Sequence, residues 1–486
     1  MPASPAPASR VPASPVPMFL GGTWSESDQR IEVWTPGGER LVGTSFEATA
    51  AQLEQATEAA VASQRQLAAQ APYERSAVLR AVAQGITEQH EELARLLSEE
   101  AGKPIKDART EAERTAMTFR VAAAEAERIS GEVIDLGLNQ VSRGRIGITR
   151  RFPAGPVAGI SPFNLPLSLA AHKLAPAMAV GCPIVLKIPS QTPFALLRLA
   201  KIIEASGALP GSVTMAPMSI PVGDKLVTDD RFKVLSFTGS PRVGWDMKAR
   251  AGRKRVILEL GGNAGALVDR SADLDWAARR CVQGAFKYAG QTCISVQRVY
   301  VHAEVWTEFT DRFVKLAAAL RVGDPAAEGT DVGPLISKAA ADRVRQWVAE
   351  AVAGGATVLL GGHGEGSYVP PTVLTDVPAT ARVCREEVFG PVAILSRVES
   401  FDAGLNAIND SVFGLQAGVF TADVANSWRA FETLQVGGVI LNDSPTYRID
   451  HMPYGGVKDS GLGREGIRYA IEEMTESRLF VIAQPQ

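Results

Sequence analysis

The sequence has few of the residues that build disulfide frameworks and metal sites. Its 486 residues include four cysteines, at positions 182, 281, 293 and 384, and five histidines. The cysteines show no paired spacing, and no two histidines have the helical spacing of a metal pair. We therefore expect neither a disulfide framework nor a metal site, and we expect a reducing compartment, the cytoplasm.

Excess charge of one sign and long apolar runs are also lacking. The 50 basic and 53 acidic side chains give a formal charge of -3, so no nucleic-acid partner is expected. No stretch approaches the ~20 consecutive apolar residues of a membrane span, so no membrane partner is expected either. Hydrophobic residues at 46% and charged residues at 21% are typical of a globular protein with a large core.

The two ends of the chain differ from the rest. Residues 1–17 consist almost wholly of Pro, Ala, Ser and Val, which predicts a disordered tail without the apolar core of a secretory signal. Near the other end, residues 478–482 predict an edge strand that could pair with another subunit.

Between these ends, the pattern predicts an α/β fold. Residues 46 to about 128 are rich in helix formers, which predicts three helices, and residues 141–152 alternate as an extended hairpin does. Strands then alternate with helices in two series, at 157–160, 184–187, 212–215, 232–237 and 256–260, and at 299–302, 357–360, 392–395, 418–421 and 439–441. Such alternation indicates right-handed crossovers and two doubly wound parallel sheets.

The sequence around Cys293 does not suit a hydrophobic core. Most free cysteines are buried as small hydrophobes. Here, however, Gly290, Gln291 and Thr292 precede the cysteine and Ser295 follows it. Small and polar neighbours allow a substrate carbonyl to approach a thiol, so Cys293 is a candidate nucleophile that needs a base and an oxyanion donor.

Polar residues follow three of the predicted strands, where parallel sheets bind their ligands. Asn164 is either a turn residue or an amide donor for an oxyanion. Lys187 is either a surface residue or a partner for the hydroxyls of a nucleotide ribose. Gly239 and Ser240 form either an ordinary tight turn or a phosphate seat at a helix N-terminus.

Two further segments contain carboxylates. Glu259 lies in an apolar strand, where an unpaired charge is costly, so it should be paired, partly neutral or functional. Glu387 and Phe389 belong to a segment that could equally be a charged loop. The pattern G-x-G-x-x-G at residues 461–466 follows no predicted strand, so we interpret it as a flexible turn.

Together these segments resemble the aldehyde dehydrogenase superfamily, from about residue 19 to residue 480. The resemblance rests on five motifs in the family's order: Ser161-Pro162-Phe163-Asn164, Phe237-Thr238-Gly239-Ser240, Glu259-Leu260-Gly261-Gly262, Gly290-Gln291-Thr292-Cys293 and Glu387-Val388-Phe389-Gly390-Pro391. It implies a dinucleotide-binding domain from 18–134 and 153–262, a catalytic domain from 263–445, and an oligomerisation element from 135–152 and 470–486. A homodimer or homotetramer is expected.

The resemblance also implies a reaction. Cys293 would attack the aldehyde, and Asn164 with the Cys293 backbone N–H would hold the oxyanion. Hydride would pass to a nicotinamide, and Glu259 would activate water to release the carboxylic acid.

A second set of residues would bind the cofactor. Lys187 would hold the adenosine ribose, Ser240 the pyrophosphate and Glu387 the nicotinamide ribose, with Phe389 beside the ring. Ser190 stands where NAD-preferring members commonly carry Glu. Without that carboxylate, the ribose hydroxyls lose a hydrogen-bond partner and a 2′-phosphate is no longer repelled, so NADP or NAD is expected.

The segment at 442–456 is similar to members that act on small hydroxylated or anionic aldehydes, such as lactaldehyde, glyceraldehyde 3-phosphate and phosphonoacetaldehyde. Arg448 and Arg120 are candidate partners for a substrate anion, and each could equally be a structural ion-pair partner. Two alternatives to a hydrolytic dehydrogenase stay open. They are a CoA-acylating semialdehyde dehydrogenase and a non-catalytic binding or structural protein on the same fold.

Overall fold

The computed structural model describes residues 14–483. The chain begins with the strands β1 (Met18–Leu20), β2 (Thr23–Ser25), β3 (Arg30–Trp34) and β4 (Leu41–Phe46). Four helices follow, where three were predicted: α1 (Ala50–Ala69), α2 (Pro72–Glu88), α3 (His90–Ala101) and α4 (Ile105–Ala126). The additional break falls at Gln89, between α2 and α3, where neither glycine nor proline marks it.

The first alternation of strands and helices comes next. Its elements are β5 (Val133–Asp135), β6 (Arg145–Pro153), β7 (Val157–Ile160), α5 (Pro166–Val180), β8 (Ile184–Ile188), α6 (Phe194–Ala205), β9 (Val213–Pro217), α7 (Ile220–Gly223), α8 (Lys225–Thr228), β10 (Val234–Thr238), α9 (Pro241–Arg250) and β11 (Arg255–Glu259).

The second alternation completes the chain. Its elements are β12 (Gly265–Val268), α10 (Leu274–Phe286), β13 (Arg298–His302), α11 (Trp306–Ala318), α12 (Lys338–Ala353), β14 (Thr357–Leu360), β15 (Thr372–Thr375), α13 (Arg382–Arg385), β16 (Val392–Val398), α14 (Phe401–Asn409), β17 (Phe413–Gly414), β18 (Gln416–Phe420), α15 (Val424–Thr433), β19 (Gly438–Leu441), β20 (Val457–Lys458), β21 (Gly461–Leu462), α16 (Ile467–Glu473) and β22 (Thr475–Ala483).

Two large sheets organise these elements and confirm the α/β fold class. The first has the order β2-β1-β9-β8-β7-β10-β11-β21, and the second has the order β14-β15-β16-β13-β12-β18-β19. Their central strands are parallel, and buried side chains cover both faces of each sheet. All ten predicted strands have a counterpart in these sheets. The prediction missed five strands of these sheets, which are β1, β2, β12, β15 and β21.

The strand order brings two candidate loops together. In the first sheet the chain runs from β7 outwards to β9 and then returns to place β10 on the other side of β7. The carboxyl ends of β7 and β10 therefore lie side by side at a topological switch point, which is where such sheets bind ligands. The loops that follow them contain Asn164 and Ser240.

A smaller antiparallel sheet has the order β22-β6-β5. The predicted hairpin at 141–152 is wrong, because these residues contain only the strand β6, and its partners come from residues 133–135 and from the C-terminus. The predicted edge strand at 478–482 is part of β22. One edge of β22 pairs with β6, and its other edge has no strand partner within residues 14–483.

Two segments near the chain ends differ from the sequence prediction. Residues 1–13 of the predicted tail lie outside the described residues, whereas Val16 is anchored: its N–H donates to the Thr44 carbonyl over 2.9 Å and its carbonyl accepts from Ser45 Oγ over 2.8 Å. The predicted flexible turn at 461–466 contains the short strand β21, which pairs with β11. Among the helices of residues 14–483, none has the length and apolar character needed to cross a membrane.

Candidate active site

Cys293 lies in the loop between α10 and β13, and an unusual backbone places it there. Tyr288, Ala289 and Gly290 all have left-handed φ angles, of 50°, 51° and 70°. Such angles cost energy for residues with a Cβ, so the surroundings must hold the turn in place. A Cβ at position 290 would stand 2.2 Å from the Gly390 carbonyl oxygen, which explains the glycine.

The thiol faces a cleft with an empty volume of about 860 Å³, including its open mouth. The ionisable side chains of its wall are Lys103, Asp107, Glu111, Arg114, His172, Lys287, Tyr288, Cys293, Arg448 and Tyr454. Cys293 Sγ lies 3.1 Å from the Tyr454 hydroxyl oxygen. Burial raises the pKa of the Cys293 thiol to about 12, although the bond to Tyr454 opposes this shift. The resting residue is therefore a protonated thiol at neutral pH.

Asn164 contacts the loop of the candidate nucleophile. Its side-chain Nδ2 donates to the Gln291 carbonyl oxygen over 2.9 Å, and the side chain is buried. An amide group has two N–H donors, so one donor remains for another acceptor. The structure thus joins the loop after β7 to the loop that contains Cys293.

Glu259 ends β11 and is only 3% exposed. Neither of its carboxyl oxygens has a hydrogen-bond partner within the described part of the chain. Burial, followed by the nearby charge of Glu465, raises the pKa of Glu259 well above its ordinary value. A buried carboxyl group with both oxygens unused is suited to take a proton from a bound molecule.

Of the two neighbouring carboxyl groups, Glu259 and Glu465, Glu465 is the one that carries the negative charge. Its Oε1 lies 3.2 Å from Lys173 Nζ, and its Oε2 accepts from Arg448 Nη2 over 3.0 Å. Burial alone would raise its pKa, but these two cations lower the pKa of Glu465 to about 2. Glu465 is therefore ionised in the resting site, whereas the shift of the Glu259 pKa favours the protonated form of that carboxyl.

The sequence analysis missed several members of this network. Glu465 belongs to the segment interpreted as a flexible turn, and Tyr454 and Lys173 were not singled out. A signal existed for Lys173, because it and His172 are the ionisable residues of the otherwise largely apolar helix α5. Charged residues in a buried helix need partners, which points to a buried polar network.

The candidate residues for a dinucleotide lie along the carboxyl edge of the first sheet. Ser240 precedes α9 without capping it through its side chain, so its hydroxyl and the first N–H groups of that helix can hold a phosphate. Gly239 is required because a Cβ there would lie 2.4 Å from the Phe237 ring. Lys187 is the penultimate residue of the neighbouring strand β8, and its Nζ has no hydrogen-bond partner among residues 14–483.

Glu387 and Phe389 approach this edge from the second sheet. Glu387 Oε1 accepts from the Gly262 N–H over 3.0 Å, and burial raises the pKa of Glu387 to about 7. The Phe389 ring meets the Phe163 ring edge-on, with centroids 6.0 Å apart. The free phosphate donors, the unpartnered lysine and this carboxylate together fit a nicotinamide dinucleotide.

The two predicted anion partners, Arg448 and Arg120, have different surroundings, and a third arginine, Arg114, was missed. Arg448 is buried in the cleft, and its Cζ lies 3.7 Å from the Tyr454 ring centroid. Arg120 lies outside the cleft, is exposed and donates to Thr87 Oγ1. Arg114, on the same helix α4, lines the cleft instead and donates to Asp450 Oδ1 over 2.9 Å. Within residues 14–483, no group of three or more His, Cys, Asp and Glu side chains could hold a metal ion.

Comparison with known proteins covers nearly the whole chain. The 3-sulfolactaldehyde dehydrogenase of Priestia aryabhattai is 41% identical over 466 residues, which are 96% of this chain and 97% of that protein. The crystal structure of aldehyde dehydrogenase 21 from Physcomitrella patens, in complex with the reaction product succinate, is 44% identical with a TM-score of 0.95. It covers 97% of this chain and 99% of that chain.

A further solved structure contains a cofactor. Glyceraldehyde-3-phosphate dehydrogenase GapN from Methanocaldococcus jannaschii, complexed with NADP, is 37% identical with a TM-score of 0.90, over 95% of this chain and 100% of that chain. The family model described as "Aldehyde dehydrogenase family" matches residues 24–480. The chain therefore belongs to the aldehyde dehydrogenase family, and it oxidises a small aldehyde to the carboxylic acid with NADP or NAD as cofactor.

Proposed function

We propose that the substrate is a small aldehyde with an anionic group, which Arg448 and Arg114 bind while Cys293 attacks the carbonyl carbon. The observation that carries this proposal is the state of Arg448. Its Nε is buried and has no hydrogen-bond partner within the described residues, although the side chain lines the same cleft as the thiol. A buried guanidinium N–H without an acceptor favours an anionic ligand.

The other polar groups of the cleft support an anion. His172 Nε2 lies 3.2 Å from Asp450 Oδ1, and its Nδ1 is buried without a partner in the described residues. Burial, followed by the charge of Arg448, lowers the pKa of His172, so the ring is neutral. Arg114 shares Asp450, lines the cleft and has a side chain that is 31% exposed. The relatives are consistent with this chemistry, because sulfolactaldehyde carries a sulfonate and succinate carries carboxylates.

The residues around Cys293 then have distinct roles. Cys293 loses its proton to solvent through the cleft and attacks the aldehyde carbon as the thiolate, and the free Asn164 amide N–H with the Cys293 backbone N–H holds the oxyanion. A bound nicotinamide supplies the hydride acceptor. Glu259 takes a proton from the water that hydrolyses the Cys293 thioester.

The proposed cofactor set consists of residues from both large sheets. Lys187 and Ser190 would bind the adenosine ribose, and Gly239 and Ser240 would bind the pyrophosphate. Glu387 would hold the nicotinamide ribose, and Phe389 would lie beside the ring. The support for this set is the geometry of the first sheet's carboxyl edge together with the NADP complex of the GapN relative.

Release by water rather than by CoA is supported by Glu259, because both of its oxygens are free to bind a hydrolytic water. The test is product analysis. Carboxylic acid should form at full rate without CoA, and strict CoA dependence would replace this proposal with the acylating alternative.

Substitution of the cleft arginines should change substrate selectivity. Arg114→Met and Arg448→Met are each expected to lower kcat/KM about 10- to 100-fold for an anionic aldehyde such as succinic semialdehyde. Each substitution removes a hydrogen-bonded ion pair between the arginine and the anionic group of the substrate. For the uncharged aldehyde butanal, the loss should be several-fold smaller. The measurement is the ratio of the two kcat/KM values in each variant.

Arg120→Met is the matched control, since it removes an arginine from the same helix as Arg114 but outside the cleft. Its ratio should equal that of the wild type. An unchanged ratio in both cleft variants would contradict the anionic substrate.

The Tyr454 hydroxyl should assist ionisation of the thiol. Because its hydrogen bond to Cys293 lowers the pKa of the thiol, Tyr454→Phe is expected to raise that pKa and slow alkylation by iodoacetamide about tenfold at pH 8. In the wild type, alkylation should keep rising with pH beyond the range of an ordinary cysteine. Tyr288→Phe is the control, because its hydroxyl donates to the Ala101 carbonyl and not to the thiol. Equal alkylation rates in the wild type and Tyr454→Phe would contradict this role.

We also propose a homodimer or homotetramer that acts in the cytoplasm, with the three domains divided as the sequence predicts. The exposed apolar residues Leu479 and Phe480, on the strand β22 with its unpaired edge, support assembly. The four free cysteines support a reducing compartment. Light scattering after size exclusion tests the assembly, and a monomeric mass would contradict it.

A further inference from the structure

The structure places a carboxylate beside Ser190, where the local sequence has none. Glu47 lies directly after β4, and its Oε1 accepts a hydrogen bond from Ser190 Oγ over 2.6 Å. The two residues are 143 positions apart in the chain. The Glu47 carboxylate thus places a negative charge at the proposed site of the adenosine ribose, although Ser190 replaces the glutamate that the family often has there.

The position of Glu47 is fixed by its backbone. Its N–H donates to the Gln29 carbonyl over 2.8 Å, and its carbonyl accepts from Ser27 Oγ over 2.7 Å. The side chain is partly buried, and the next residue, Ala48, donates its N–H to the Pro217 carbonyl at the end of β9. The carboxylate is therefore held against the carboxyl edge of the first sheet and does not swing freely in solvent.

Lys187 completes this arrangement. Burial lowers its pKa, and Glu47 is the acidic residue whose charge opposes that shift. Gly223 leaves room for the lysine side chain, because a Cβ at position 223 would lie 2.6 Å from Lys187 Cδ. The Lys187 ammonium, which has no hydrogen-bond acceptor within residues 14–483, and the Glu47 carboxylate bonded to Ser190 thus border the same site.

We propose that Glu47 determines cofactor preference and makes this enzyme favour NAD over NADP, an inference that rests on the proposed role of Lys187 at the adenosine ribose. A ribose 2′-hydroxyl can donate to the Glu47 carboxylate and accept from Lys187. A 2′-phosphate cannot donate in this way, and its negative charge would be repelled by Glu47 in a partly buried site. Ser190 alone leaves both NADP and NAD open, and Glu47 selects NAD.

The test combines kinetics with direct binding. The wild type should show a kcat/KM for NAD at least about tenfold higher than for NADP. Glu47→Gln keeps the length of the side chain and a hydrogen-bonding group for Ser190 but removes the charge, so it should raise kcat/KM for NADP about tenfold and lower it for NAD. Titration calorimetry with each dinucleotide, without aldehyde, should show the same change in the ratio of Kd values.

Two further variants distinguish an effect of the Glu47 charge on the NAD-to-NADP ratio from an effect on folding. Glu54→Gln removes a carboxylate from α1 that pairs with Arg231 and does not bond Ser190, so the ratio should not change. If Glu47→Gln folds poorly, Glu47→Asp withdraws the carboxylate by one methylene and should shift the ratio in the same direction by a smaller factor.

The outcomes also separate this inference from the proposed function. Two results would overturn the role of Glu47 without affecting the proposed function. The first is a wild type that prefers NADP. The second is an NAD-to-NADP ratio of kcat/KM that Glu47→Gln leaves unchanged while aldehyde is still oxidised. If neither dinucleotide binds and no aldehyde is oxidised, both the inference and the proposed site fail.

Discussion

Replacement of Cys293 by alanine is expected to abolish aldehyde oxidation, with kcat/KM falling at least about 10⁴-fold, because the covalent route through the thiol is lost. The expectation follows from its position, since Cys293 combines a cleft, a contact to Tyr454 and the adjacent amide of Asn164. Aldehyde-dependent absorbance of the reduced nicotinamide is the measurement. Titration of dinucleotide binding should show a Kd within about threefold of the wild type, since the dinucleotide seat does not require the thiol.

The matched control is Cys384→Ala. Cys384 is partly exposed and lies on α13, outside the cleft. That variant should keep its oxidation rate. Equal rates in the wild type and Cys293→Ala would remove Cys293 from the reaction, whereas loss in both variants would indicate a general effect of cysteine replacement.

Replacement of Glu259 by glutamine should separate the two halves of the reaction. The amide cannot take a proton from water, so steady-state turnover is expected to fall about 10²- to 10⁴-fold. Hydride transfer precedes thioester hydrolysis, so the first turnover should remain as a burst of reduced nicotinamide close to one equivalent per active site. Rapid-mixing absorbance measures the burst and the slow phase together.

The pH dependence of turnover provides a second measurement on the same variant. Glu259 acts as a base only in its ionised form, and burial raises its pKa well above the ordinary range. The wild-type rate should therefore rise with pH and level off only above that raised pKa. In Glu259→Gln this rise should disappear. A variant without a burst, or with the wild-type pH profile, would show that Glu259 does not activate the hydrolytic water.

Local sequence was sufficient to predict the strands of the sheets and the loops that follow them. Apolar runs bounded by turn residues indicate strands, and a parallel sheet places its ligand loops at one edge. On this basis the sequence predicts Asn164, Lys187 and Ser240 at that edge. The break at Gln89 was missed because neither glycine nor proline marks it.

Side-chain partners were harder to predict, because they depend on contacts between distant parts of the chain. Arg120 and Arg114 lie on one helix and are equally eligible in the sequence, but six residues of helix turn them to different faces. Only the packing of α4 decides that Arg114 lines the cleft. The contact of Tyr454 with Cys293 joins residues 161 positions apart.

By itself, the sequence determined that Cys293 is a candidate nucleophile in a two-sheet α/β protein, because residue type and local period specify strands, turns and an accessible thiol. Tertiary structure alone decided the electrostatics of the site. Burial and the charge of Glu465 raise the pKa of Glu259, and the charges of Lys173 and Arg448 lower that of Glu465. Glu47, which directly follows β4, places its carboxylate beside Ser190. Desolvation and Coulomb interactions depend on distance in space, which the order of residues does not contain.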